Sequence, residues 1–145
     1  YTKHDNELIN INQEGLENEL SLVNNDSILT IYNIFSKSRK TNGQAQSRRP
    51  DLSYGANFTK KVSSSSLGPF NFNLNYKYTG KYIDWDGSKN SRQKSTDIAD
   101  ISLTKELLGT NYSLSITNLT NERYEKPATY SQNGRQIKFG YKRSF

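Results

Sequence analysis

Residues 70–78 of the chain read FNFNLNYKY and alternate without exception between two kinds of side chain. The even positions carry only Phe, Leu and Tyr, whereas the odd positions carry only Asn and Lys. In a β-strand, successive side chains point to opposite faces of the sheet. The segment therefore predicts a strand with one apolar, aromatic face and one hydrophilic face, in a sheet that separates two environments.

The composition does not suit a soluble globule or a helical membrane protein. Only 32% of the 145 residues are hydrophobic and the mean hydropathy is −0.91, which leaves little material for a dry core. The aromatic content of 12% and the period-two segments argue against disorder. The sequence has no run of about 18 apolar residues, so it predicts no transmembrane helix. Strands of outer-membrane barrels escape hydropathy scales because every second residue faces a polar lumen, and this pattern fits the composition.

Alternation and turn residues predict about seven strands. Their approximate ranges are 7–23, 27–39, 51–62, 70–83, 96–107, a short strand around 112–116, and 134–145. Asn18 interrupts the apolar side of the first strand. The second strand is apolar on both parities from Ile28 to Phe35, so the pattern does not assign its facing.

Connections between the predicted strands alternate in length. The short connections NND, SSSSLGP and LGT fall at the same end of the sheet as the C-terminus, and the long polar ones fall at the other end. Up-and-down outer-membrane barrels have short periplasmic turns and longer extracellular loops. We therefore expect an all-β, antiparallel, up-and-down transmembrane β-barrel whose aromatic face contacts outer-membrane lipid. The residues predicted to line its wet lumen are Glu17, Glu19, Asn71, Asn73, Asn75, Lys77, Lys138 and Lys142.

Five segments resemble the C-terminal part of TonB-dependent outer-membrane receptors. They are EGLENELSL, SRRP, YTGKY, DIADISLTKEL and the ending ITNLTNERYEKPATYSQNGRQIKFGYKRSF. The segments follow the family's order and together span essentially the whole chain. The alternating aromatics Phe139, Tyr141 and Phe145 resemble the terminal strand that the barrel-assembly machinery reads.

The resemblance implies that residues 1–145 supply about seven strands of a barrel of roughly 22. No segment resembles the family's plug domain or TonB-contacting box, so we expect a fragment whose plug lies in a missing N-terminal part. The implied function is active import across the bacterial outer membrane, with energy transmitted by TonB. The implied solute is a scarce chelated metal or vitamin, either siderophore-bound iron or cobalamin.

External ligand contacts are expected in the long loops, because a solute enters from that end. The candidates are Arg48, Arg49, Trp85, Tyr124, Tyr130 and Arg135. Glu17 and Glu19 share a strand face but have no nucleophile or partner constellation, so we predict no enzyme. The lone His4, and a DWDGSKN loop that lacks a further acidic ligand, predict neither a metal site nor a cofactor.

Two other functions stay open at this point. One is a complete small outer-membrane barrel with a structural or adhesive role. The other is a soluble β-sandwich that binds carbohydrate through exposed Tyr and Trp. The net charge of +6 is scattered along the chain and does not form a basic stripe, so nucleic acid is not an expected partner.

Overall fold

A computed structural model describes residues 2–4, 7–9, 11–40, 42–64 and 66–143 of the chain. The described residues form the strands β1 (Thr2–His4), β2 (Glu7–Ile9), β3 (Ile11–Val23), β4 (Ser27–Lys40), β5 (Leu52–Val62), β6 (Phe70–Thr79), β7 (Tyr82–Trp85), β8 (Asn90–Gln93), β9 (Thr96–Leu107), β10 (Thr110–Thr117) and β11 (Gln136–Arg143). Within these ranges, no helix is long and apolar enough to cross a membrane.

Seven of the strands form one antiparallel sheet in the order β11-β10-β9-β6-β5-β4-β3. The order follows the chain, with the small hairpin of β7 and β8 inserted between β6 and β9. A second two-stranded sheet joins β1 to β2. The predicted all-β, up-and-down sheet of about seven strands is therefore confirmed.

The predicted first strand, residues 7–23, is wrong in its first part. β2 pairs with β1 and does not continue the large sheet. The long pairing of β3 with β4 begins only where Ile11 lies opposite Lys40.

The predicted fourth strand, which extends to residue 83, is too long: β6 ends at Thr79, and Gly80 follows it against the backbone of β5. The Gly80 N–H donates to the Leu52 carbonyl at 2.8 Å, and a Cβ at Gly80 would lie 2.7 Å from that oxygen. Only a glycine fits so close to the neighbouring backbone. The chain then forms the hairpin of β7 and β8 inside what the sequence predicts as a loop.

One side of the seven-stranded sheet is mostly apolar, and apolar residues cross it from edge to edge. Directly paired residues share a face, and the row Leu20, Ile31, Ala56, Tyr76 and Ala99 crosses five strands by direct pairing. The apolar residues of this side, the apolar face, include Leu16, Leu20, Leu22, Leu29, Ile31, Phe35, Leu52, Tyr54, Ala56, Phe58, Val62, Phe70, Phe72, Leu74, Tyr76, Tyr78, Ala99, Ile101, Leu103, Tyr112, Leu114, Ile116, Ile137, Phe139 and Tyr141, and polar residues such as Asn18, Asn33, Lys60, Asp97 and Lys105 share it. Among the described apolar residues only Ala128 is buried, so the sheet is a single layer without a core beneath it.

The pairing of β4 with β5 shows which face of the sheet each β4 side chain lies on, a point that the sequence pattern leaves open. Leu29 pairs with Phe58, so the odd residues of β4 lie on the apolar face. Ile34 pairs with Ser53, so the even residues lie on the opposite face.

Asn18 lies on the apolar face, as the sequence predicts, and it has a partner there. Asn33 is directly opposite on β4, and the Asn18 Nδ2 donates to Asn33 Oδ1 at 2.8 Å. A polar group in apolar surroundings is costly unless it is hydrogen-bonded. The hydrogen bond between the two side-chain amides reduces this cost.

The other side of the sheet, the polar face, carries all eight residues predicted to line a lumen. Its side chains bond across the strands. Thr59 donates to Asn73 at 3.0 Å, and Asn73 donates to Ser102 at 3.3 Å. Asn75 donates to Asn57 in the next row. The polar face is therefore a hydrogen-bonded hydrophilic surface, as a wall in contact with water requires.

The connections lie at two ends of the sheet, which we call the turn end and the loop end. The turn end has the connections 24–26, 63–69 and 108–109. Leu108 and Gly109 have positive φ angles of 52° and 71°, the conformation of a tight two-residue hairpin turn. The loop end has the longer segments 41–51, 80–95 and 118–135.

The expected contact of the apolar face with lipid predicts that replacing Leu74 by Lys lowers the free energy of unfolding by about 2–4 kcal/mol in lipid vesicles, because a charge near a bilayer midplane is poorly solvated. Asn73→Lys is the matched control on the polar face and should cost about 1 kcal/mol, from its lost hydrogen bonds. Denaturant titration of the full-length protein measures both. Equal costs at 73 and 74 would contradict the two-environment sheet.

Candidate ligand-binding cleft at the loop end

Asn118 organises the start of the last long loop. Its φ angle is +53°, a conformation that Asn tolerates better than most residues. Its side-chain amide donates to the carbonyls of Glu122 and Asn133 at 2.9 and 3.1 Å, and its Oδ1 accepts the Glu122 N–H at 2.9 Å. The backbone N–H of Asn118 donates to Asp100 on β9 at 2.7 Å. One buried side chain therefore draws both ends of the loop together.

Arg135 closes the base of the same loop. Its Nε donates to the Leu119 carbonyl at 3.0 Å, and its backbone N–H donates to Asn121 Oδ1 at 3.0 Å. The sequence predicts Arg135 as a ligand contact. In the structure it bonds the two ends of the loop to each other.

A buried carboxylate joins all three long segments of the loop end. Asp84, on β7, is only 1% exposed. Its Oδ1 accepts hydrogen bonds from Arg48 Nε at 2.7 Å and from the Trp85 N–H at 2.8 Å, and its Oδ2 accepts the Ala128 N–H at 2.8 Å. Arg48 belongs to the 41–51 segment and Ala128 to the 118–135 segment. A second contact, from the Arg48 N–H to the Ile83 carbonyl at 2.7 Å, supports the same junction.

The Asp84 carboxyl is held in its charged form. Burial acts to raise its pKa, but the hydrogen bonds from the Ala128 N–H, the Arg48 guanidinium and the Trp85 N–H outweigh burial and hold the pKa below the ordinary value. A buried charge that accepts several donors costs more to remove than a surface ion pair does. Asp84 is therefore the central structural residue of the loop end.

A cavity of about 1260 Å³ lies between these loops and the polar face. β5, β6, β9, the β7–β8 hairpin and the last loop contribute to its walls. Its lining residues are Arg48, Pro50, Ser53, Lys77, Thr79, Tyr82, Asp84, Ser91, Arg92, Gln93, Lys94, Thr96, Ile98, Asn121, Arg123, Tyr124, Glu125, Lys126, Pro127, Ser131, Gln132 and Gly134. This cleft is large enough for a drug-sized or larger small molecule.

The charge of the cleft is strongly positive. Six cationic side chains and only two carboxylates line it. Asp84 is one of these carboxylates, and its oxygens are already occupied. The other belongs to Glu125, whose Oε2 accepts the Thr129 N–H at 2.7 Å. Both carboxylates are therefore engaged by donors of the loop end itself.

The predicted contact residues divide into two groups. Arg48 and Tyr124 line the cleft, and so does Lys77, which was predicted only as a lumen residue. Arg49 is exposed, and Trp85 and Tyr130 are 52% and 66% exposed, but none of these three residues lines the cleft.

Sequence reasoning missed several lining residues, namely Tyr82, Arg92, Arg123 and Lys126, and the structural role of Asp84. Asp84 bonds to Arg48 and Ala128, which are 36 and 44 positions away in the sequence, and no local sequence pattern predicts such contacts. Arg123 and Lys126 could have been predicted from the sequence, because they lie on either side of Tyr124 in a loop that is expected to contact the ligand.

Asp86, in the same DWDGSKN segment as Asp84, accepts the N–H groups of Ser88 and Lys89 and forms a local turn. The described residues contain no group of three or more His, Asp or Glu side chains placed to hold a metal ion.

A single-layer, up-and-down sheet with one apolar face, one polar face and a cleft among the long loops belongs to the class of fold that forms the wall of a β-barrel. Comparison with solved structures supports this class. The chain matches the ferripyoverdine receptor of the outer membrane of Pseudomonas aeruginosa, bound to ferripyoverdine, with a TM-score of 0.76 over 92% of this chain. It matches FpvAI in its complex with pyocin S2, and P. aeruginosa FpvA with heterologous pyoverdines, at the same TM-score and coverage.

The likeness is one of fold. Sequence identity to all three structures is 14%, and the chain spans 19–20% of their length. No protein-family model and no curated protein matches the sequence. The expected likeness to the barrel of an outer-membrane receptor is confirmed at the level of the fold.

Replacing Asp84 by Asn should open the loop end without unfolding the sheet, because a neutral amide cannot accept from the three donors that the carboxylate satisfies. Hydrogen exchange of the full-length protein should show faster exchange at the Ala128 amide and in residues 45–50, by about tenfold or more. Asp86→Asn, on the same hairpin, is the control and should affect only its own turn. Unchanged protection at Ala128 in D84N would contradict the central role of Asp84.

Proposed function

We propose that the chain is part of the barrel wall of a TonB-dependent outer-membrane receptor that imports an iron-siderophore complex. The observation that carries the proposal is the cleft of about 1260 Å³ at the loop end of a sheet whose fold matches a ferripyoverdine receptor. A solute arriving from outside would meet the loop end first, and the polar face would border its path through the lumen.

The two faces of the sheet support a location in the bacterial outer membrane. The apolar face has no second layer over it among the described residues, and acyl chains are the surroundings that make its exposure favourable. The polar face is hydrophilic, as is required of a surface that borders a water-filled or plugged barrel interior. On this proposal, Glu17, Glu19, Asn71, Asn73, Asn75, Lys77, Lys138 and Lys142 line the lumen.

The edges of the sheet support a longer barrel. β3 and β11 each pair on one side only within the described residues. Unpaired edges inside a membrane are costly, so further strands of the same protein would cover both. Residues 1–145 would then form one portion of the barrel domain, with the plug and the TonB-contacting segment elsewhere. Phe139 and Tyr141, on β11, would belong to the strand that the assembly machinery reads, and Phe145 lies outside the described residues.

The candidate contacts take different parts in this proposal. Arg48 and Tyr124 are in the cleft and would meet the bound solute. Arg49, Trp85 and Tyr130 are exposed around it and would make the first contacts. Arg135 would act indirectly, by holding the base of the last loop.

The other functions fit the geometry less well. A carbohydrate-binding sandwich needs a second sheet over the apolar face, and among the described residues the other two sheets have two strands each. A complete small barrel needs its edge strands to pair, but β3 and β11 do not pair. The similar structures are transport receptors, and they favour iron-siderophore over cobalamin as the solute and uptake over catalysis.

Cells that lack the full-length protein should lose most uptake of radioactive iron supplied as its ferric siderophore, and a plasmid copy should restore it. Cells that lack TonB should still bind the siderophore but should not import its iron, because import needs energy from the inner membrane. A set of ferric siderophores screened on iron-starved cells measures both effects. Uptake of every siderophore at the parental rate without the protein, or import that is independent of TonB, would contradict the proposal.

A further inference from the structure

We propose that the cleft selects iron chelates that carry net negative charge, and that Lys77, Arg92, Arg123 and Lys126 make the selection. This inference rests on the proposed function and adds the charge class of the solute to it. The likeness to other receptors is one of fold and assigns no role to these four side chains.

The four cations are available to a ligand. None of their side chains forms a hydrogen bond or ion pair with another described residue, and all four residues are exposed. The other two cations of the cleft are engaged. Arg48 bonds to Asp84 at 2.7 Å, and Lys94 lies 4.0 Å from Glu122.

The four cations reach the cleft from different directions. Lys77 projects from β6 on the polar face, Arg92 belongs to β8, and Arg123 and Lys126 belong to the last loop. The Asp84 junction holds the last loop beside the hairpin, so these charges converge on one volume. Side chains of one sign around a concave site focus the field and concentrate ligands of opposite charge.

The neutral groups of the cleft suit the same class of ligand. Burial, and next the nearby Asp84 charge, raise the pKa of the Tyr82 phenol, which therefore stays a neutral donor at neutral pH. Tyr124 also lines the cleft. Phenol and guanidinium donors both bond well to the oxygens of catecholate, carboxylate or phosphate groups.

The charge balance inside the cleft disfavours cationic solutes. The Asp84 oxygens accept three donors, and Glu125 accepts the Thr129 N–H. A cationic chelate would therefore meet four cationic side chains without partners, and among the described residues of the cleft only the Glu125 carboxylate has an oxygen left to pair with it, so repulsion costs affinity.

Binding to the full-length protein in detergent, followed by tryptophan fluorescence quenching, tests the inference with three probes. They are a trianionic ferric tris-catecholate, a neutral ferric tris-hydroxamate, and a cationic ferric tris-hydroxamate that bears a free amine. We expect the trianion to bind most tightly and its affinity to fall as NaCl is raised. The double variant R123Q/K126Q should weaken trianion binding by about tenfold or more and leave the neutral chelate nearly unchanged.

Lys142→Gln is the matched control, because Lys142 lies on the same polar face but near the turn end. It should change trianion binding by about twofold at most, since its charge is remote and screened. Shift of the barrel on unheated gels confirms that each variant is folded. Because Arg123 and Lys126 are exposed loop residues, their replacement leaves the sheet intact.

Each outcome decides one of the two proposals. Equal binding of all three chelates, with no effect of R123Q/K126Q, overturns charge selection and leaves iron-chelate uptake standing. An equal loss in K142Q and R123Q/K126Q overturns the assignment to the cleft cations, since the effect then comes from overall charge. Failure of every chelate to bind overturns the proposed function, and the inference falls with it.

Discussion

The separation of two environments by a single layer of strands governs this structure. A sheet without a core gains little from packing, so its stability depends on backbone pairing and on each face having suitable surroundings. Seven antiparallel strands keep one register in which rows of paired residues alternate between apolar and polar. A shift by one residue would move every side chain to the wrong face. The strict pattern of residues 70–78 follows from this requirement.

The loop end is built on a different interaction. There the chain leaves the large sheet and is no longer fixed by its backbone hydrogen bonds. Hydrogen bonds of buried polar side chains fix the loops instead. Asp84 joins three segments by accepting three hydrogen bonds, from Arg48, Trp85 and Ala128, and Asn118 closes the last loop on itself. The cleft depends on these contacts because they hold the hairpin and the last loop over the polar face. Its cations can then face the same solute, although they come from separate parts of the chain.

The sequence predicts the sheet well and the cleft poorly, for a physical reason. Alternation is a local property, so the facing of Phe72 or Asn73 can be read from neighbours. The facing of β4 could not be read, because Ile28 and Ile34 are apolar residues on the polar face and only pairing with β5 resolves them. The early end of β6 goes with the pairing of Tyr82–Trp85 to β8, and the role of Asp84 depends on partners distant in sequence. Tertiary contacts of this kind leave no periodic signal.

The most direct test of the account uses the absence of cysteine from the chain. Single cysteines placed in turn at positions 71–77 of the full-length protein can carry spin labels in native outer membranes, and collision with oxygen or with a water-soluble nickel chelate reports the surroundings of each label. The account predicts that oxygen access, and hence contact with lipid, is high at 72, 74 and 76. Access of the nickel chelate should be high at 71, 73, 75 and 77. The same accessibility at odd and even positions would contradict the claim that this sheet separates lipid from a wet interior.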